Sequence, residues 1–126
     1  MEKRALKEAE CWLISAENTL ELTSYEERFT VASAQSIHAV IRANDALTQK
    51  CLRRVAERHE RAIGLFQDLI RQNKVPQDEA NMVDILVRAV HRKSNFDYKG
   101  GSASRADAEK WIYDARKFLV MAGKYV

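Results

Sequence analysis

Residues 53–59 read Arg-Arg-Val-Ala-Glu-Arg-His, so Arg53, Arg54 and Arg58 all precede His59, one of 3 histidines in the chain. A histidine with an unperturbed pKa of about 6.5 can move a proton near neutrality. A guanidinium stays charged and can grip two phosphate oxygens at once. These are the parts needed to cleave a phosphodiester without a metal: a base for the 2′-hydroxyl or an acid for the leaving oxygen, with positive charge on the phosphate. The expected catalytic pair is Arg54 with His59, and Arg53 and Arg58 are candidate phosphate contacts. The alternative is a solvated helix face whose arginines pair with Glu57 and Glu60. Five residues of α-helix turn about 500°, which would leave Arg54 and His59 about 140° apart. On a regular helix they converge only if Arg54 lies in a frayed first turn, or if a dimer brings a second copy to the same cleft.

Other candidates are more scattered. Arg92, near His91 and Arg88, is a possible phosphate contact, and Tyr98 can stack on a base or fill a gap between helices. His38 reads as a satisfied, partly buried histidine, and Trp12 and Trp111 as core residues. Without a clustered acidic pair, no metal site and no cofactor are expected. Cys11 and Cys51 follow no metal-ligand spacing and are expected to be buried, reduced thiols of a cytoplasmic protein.

The elements that must carry these residues are helical. The chain has 126 residues with 46% hydrophobic and 31% charged, but only 4 Gly and 1 Pro, so long stretches are free of breakers. One domain over 1–126 is expected. No run approaches the ~18 apolar residues of a membrane span, and the charged start MEKRALKEAE has no apolar stretch of a secretory signal. The net charge of +3 is uneven. Residues 1–30 carry a balance of −3, whereas 50–74 hold seven basic against three acidic side chains, a balance of +4. Such a bias can recruit phosphate.

Apolar spacing predicts five helices. The first covers 2–22, with Leu6, Ala9, Leu13, Ala16 and Leu20 on one face. The second covers about 25–50, capped at Thr23 or Ser24. Its small residues Ala32, Ser33, Ala34, Ser36, Ala39 and Ala43 invite close approach of a neighbour and make it the expected central helix. The third covers about 53–72 and ends before Pro76. The fourth covers about 78–92, followed by a loop through Gly100-Gly101. The fifth opens on a capping box from Ser104 to Asp107. No strand-period segment stands out, and the expected fold is an all-α, up-and-down bundle of four or five helices.

The segment FTVASAQSIHAVIRANDAL resembles the central helix of the HEPN (higher-eukaryote and prokaryote nucleotide-binding) family, through Ala34, Ser36, Ile37, His38, Ala39, Ile41, Ala43, Ala46 and Leu47. RHERAIGLFQDLI is similar to the family's next helix, RKSNFDY to its Arg-x4-Asp-Tyr segment, and DAEKWIYDARKFLVMA to its closing helix. The likeness runs in order from residue 5 to 122. It implies a helical bundle that dimerises. Several branches are metal-independent ribonucleases, including toxins of toxin–antitoxin and defence systems, with an Arg-x4-6-His motif that Arg54 and His59, or Arg53 and His59, match here. The activity implied is an endoribonuclease working as a homodimer, with an antitoxin protein as partner. A non-catalytic module binding nucleotide, RNA or a protein partner through the same basic cleft is the other reading.

Overall fold

The computed structural model describes residues 2–98 and 101–126, without the side chains of 94–98. It contains α1 (Glu2–Thr19), α2 (Arg28–Leu52), α3 (His59–Arg71), a short 3₁₀ segment (Gln77–Met82), α4 (Val83–Tyr98) and α5 (Arg105–Tyr125). Helices dominate and no strand occurs among the described residues, as expected of an all-α bundle.

α2 is the central element and packs against each of the other four helices. Ala32, Ser33, Ser36, Ala39, Ala43 and Ala46 are all buried, and their small size lets α1 come close along its full length. The two run antiparallel, because Glu8 reaches Arg42, Trp12 meets His38 and Thr19 bonds Gln35. α5 runs parallel to α2: the Ala103 N–H donates to Thr30 Oγ1 (3.0 Å) near one end, and Cys51 lies against the Tyr125 carbonyl at the other. The core is filled by Ile37, Leu47, Phe66, Leu69, Leu86, Phe118 and Met121.

α5 starts where its sequence dictates. Ser104 Oγ accepts from the Asp107 N–H (3.1 Å) and Asp107 Oδ2 from the Ser104 N–H (3.0 Å), completing the capping box. Four expectations need correction. α2 begins at Arg28 without a side-chain cap from Thr23 or Ser24. Instead the buried Arg28 donates to the Tyr25 carbonyl (2.8 Å), tying down the turn. α3 begins only at His59, and 53–58 is irregular. Pro76 is followed by a 3₁₀ turn before α4 proper. α4 then continues through Tyr98, where a loop was expected, so His91 stands in mid-helix and not at a helix end.

Candidate functional site

The basic segment is shaped by the way α2 stops. Arg53 takes the left-handed conformation (φ 58, ψ 32), its N–H donating to the Gln49 carbonyl, while the Arg54 N–H reaches back to Thr48 (3.3 Å). Such a reversal favours glycine, and a residue with a Cβ pays about 1 kcal/mol for it. The chain then runs irregularly to Arg58, the extended N-cap of α3, which supplies no side-chain cap to the helix. Arg54 is therefore not on a helix at all, and the helical angle between it and His59 does not apply.

Arg54, Arg58, Arg61 and Arg71 line one groove of about 760 Å³, together with Glu57 and Asp68. Arg71 is paired with Asp68. Arg53, Arg54, Arg58 and Arg61 make no ion pair with another described residue, and neither do Glu57 and Glu60. The charge-paired helix face is thus not what forms here. Three exposed guanidinium groups sit instead at the uncapped start of α3, where free N–H groups and the helix dipole already favour an anion.

His59 does not line that groove. At about 100° per residue it lies roughly 200° from Arg61, 140° from Gly64 and 180° from Asp68, on the opposite side of α3. His59 is exposed, and the first turn of α3 is tied to α2 by Asn44 Nδ2, which donates to the Ala62 carbonyl (3.4 Å). Burial raises the Asp45 carboxyl above its ordinary range, opposed by the hydrogen bond and charge of Arg42 and by the charge of His59. Arg42 itself bridges Glu8 (2.8 Å) and Asp45 (3.3 Å). The charge of His59 thus reaches the Asp45 carboxyl, while His59 itself is exposed and does not line the arginine groove. Sequence reasoning did not link Asp45 to His59. The pointer to this packing is polar Asn44, buried at 1% exposure on the face of α2 that meets α3, with Oδ1 unpartnered.

Arg92 belongs elsewhere in the bundle. Its charge helps lower the Asp107 carboxyl, behind the dominant hydrogen bonds from Ser104, which puts it near the start of α5 and away from the end holding Arg53. The side chain of Tyr98 lies outside the described residues. His38 is half-buried, edge-on to Trp12 (ring centroids 4.5 Å) with Nδ1 3.2 Å from Lys93 Nζ, a satisfied histidine as expected. Trp111 is core, but Trp12 is 39% exposed. Cys11 is exposed and not buried. Cys51 is half-buried, and burial pushes its thiol up, away from reactive thiolate. No group of His, Cys, Asp or Glu suited to a metal occurs among the described residues.

A different arrangement of charge occurs between α4 and α5. Asp114, 1% exposed, receives Lys110 Nζ at 2.8 Å and has Arg88 Nη2 at 2.9 Å from Oδ2, off the direction of a hydrogen bond. Arg88 also lies over the Trp111 ring, 5.4 Å from its centroid. No helix among the described residues is long and apolar enough to cross a membrane. No family model matches the chain, and no curated protein matches it at a significant level.

Proposed function

We propose that this protein is a HEPN-type module that binds single-stranded RNA by its phosphates, through the groove at the α2–α3 end. The observation that carries the reading is the set of Arg54, Arg58 and Arg61, exposed on one groove and without carboxylate partners among the described residues. Unpaired guanidinium groups at the start of a helix bear an electrostatic cost that a bound polyanion removes. The groove carries no aromatic side chain, so its contribution is to the backbone and not to base identity. The reading sets the protein in the cytoplasm, where single-stranded RNA is at hand.

A metal-independent ribonuclease, in the manner of a toxin with an antitoxin partner, is the second reading, and what favours it is that the charge of His59 reaches the half-buried Asp45 carboxyl. A carboxylate near an imidazole can hold it in one orientation for proton transfer. Because His59 and the arginine groove lie on opposite sides of α3, this reading requires a homodimer in which one protomer's groove approaches its partner's histidine. One experiment addresses both. A labelled single-stranded RNA is titrated with protein by fluorescence polarisation and the same samples are run on a denaturing gel. The expected result is salt-sensitive binding with intact RNA. Cleavage abolished by His59→Ala would establish the second reading, and absence of binding at low salt would remove the first.

A further inference from the structure

A second basic depression lies on α1, some distance along the chain from the arginine groove. It has a volume of about 550 Å³ and is lined by Lys3, Arg4, Lys7, Glu8, Cys11 and Trp12. Lys3, Arg4 and Lys7 are exposed and make no ion pair with another described residue. Lys3 and Lys7 are like charges one helical turn apart, and Lys3 and Arg4 stand in the first turn of α1, where the dipole disfavours cations. Glu8, the one carboxylate of the depression, is already engaged by Arg42.

Trp12 closes this shelf. Its ring rests edge-on against His38, which is itself met by Lys93, so the indole is braced from two helices yet 39% exposed. An exposed, braced indole beside unpaired cations is the arrangement that binds unstacked bases and their phosphates together. Because α1 runs antiparallel to α2, the start of α1 stands at the same end of the bundle as the end of α2, from which the chain leads into the proposed RNA groove. Glu2, at the start of α1, has its carboxyl lowered first by its own backbone and then, in smaller part, by Lys50 and Arg53 at the end of α2.

We propose that the α1 shelf is a second contact for the same RNA strand, in which Trp12 stacks on a base while Lys3, Arg4 and Lys7 hold the flanking phosphates. The proposal rests on the RNA-binding reading and adds to it the element the arginine groove lacks, a surface for the base. Under it the protein discriminates strands with bases from bare phosphate backbones.

The test compares an oligouridylate with an abasic strand of the same length, by polarisation. Trp12→Ala should weaken oligouridylate binding by roughly 5- to 150-fold, the range for loss of one base–aromatic stack, and leave the abasic strand unchanged. Trp12→Phe should restore most of the loss. In the unmodified protein, oligouridylate should quench the tryptophan emission, since Trp111 is only 6% exposed and Trp12 is the accessible indole, and the abasic strand should not. Equal affinities of wild type and Trp12→Ala for oligouridylate, or equal losses for both strands, or unquenched emission on saturation, would overturn the shelf while leaving the arginine groove in place. Failure of the wild type to bind either strand would instead remove the underlying RNA reading.

Discussion

Arginines at two places in this molecule serve opposite ends. Arg88 lies between α4 and α5, stacked on Trp111 and close to a carboxylate buried at 1% exposure. Arg54, Arg58 and Arg61 lie in and after an irregular linker, exposed and without a carboxylate partner among the described residues. The residue type is the same, so type and spacing alone do not separate a structural cation from one available to a ligand. What separates them is whether the charge is already answered. Asp114 cannot be left buried without its cations, whereas the linker arginines can be removed with no internal partner orphaned.

The contrast is broken most forcefully at Arg88. Arg88→Met keeps some packing over Trp111 but leaves Asp114 with the more exposed Lys110 alone, and should cost about 2–4 kcal/mol in urea unfolding. Arg54→Ala, Arg58→Ala and Arg61→Ala should each change stability by about 0.5 kcal/mol or less. A comparable loss at both places would show the linker arginines to be structural after all.

The same three linker substitutions, combined, should appear in binding instead. Each phosphate contact on a single strand contributes about 0.7 to the slope of log affinity against log salt. The triple variant should therefore flatten that slope by about 2, as followed by polarisation across a salt series. Arg88→Met should leave the slope as it is.

Much of the bundle is legible in the sequence. The apolar and small residues of α1, α2 and α5 recur at helical spacing, and Ser104 with Asp107 marks a helix start by a mechanism local enough to read directly. The start of α3 is not legible, because Arg-Arg-Val-Ala-Glu-Arg contains no glycine, proline or capping residue. Packing of Phe66 and Leu69 into the core requires a reversal there that local propensity opposes. That one difference displaced the site: with 53–58 out of the helix, Arg54 joins a groove that His59 does not line. Trp12, expected in the core but 39% exposed, departs for another reason. Helical periodicity gives the face a residue occupies, and a position on the margin of that face can be core or half exposed. Lys110 and Arg42 stand at helical spacing from Asp114 and Asp45, but Arg88 and the charge of His59, which come from other helices, are invisible in a linear reading.

Arg53 sharpens the contrast at smaller amplitude. Its left-handed backbone is the conformation glycine adopts freely, so Arg53→Gly should stabilise the fold by about 0.5–1 kcal/mol, seen as a higher urea midpoint. Arg53 does not line the groove but precedes Arg54 in the chain, and under the RNA reading the same variant should bind less well for want of that nearby cation. A variant that is both more stable and undiminished in binding would mean the side chain serves no ligand.

The smallest effect concerns pH, and here two aspartates carry opposite signs. Burial raises the Asp45 carboxyl above its free value of 3.8 despite Arg42 and His59. A carboxyl whose folded pKa lies above its unfolded one contributes stability fully below the unfolded value, and loses that contribution as pH rises through the folded value. Asp107 is lowered from 3.8 by the Ser104 cap, so its contribution is present above that value and is lost as pH falls through the folded one. Asp45→Asn should therefore fare better against wild type at about pH 7 than at about pH 4, and Asp107→Asn, which removes the lowered carboxyl itself, should fare better at about pH 4 than at about pH 7. Urea midpoints of the two variants and wild type at both pH values measure the difference. A constant offset for Asp45→Asn across that range would mean that Asp45 is no more buried than an ordinary surface carboxylate, and its closeness to His59 would lose its interest for proton transfer.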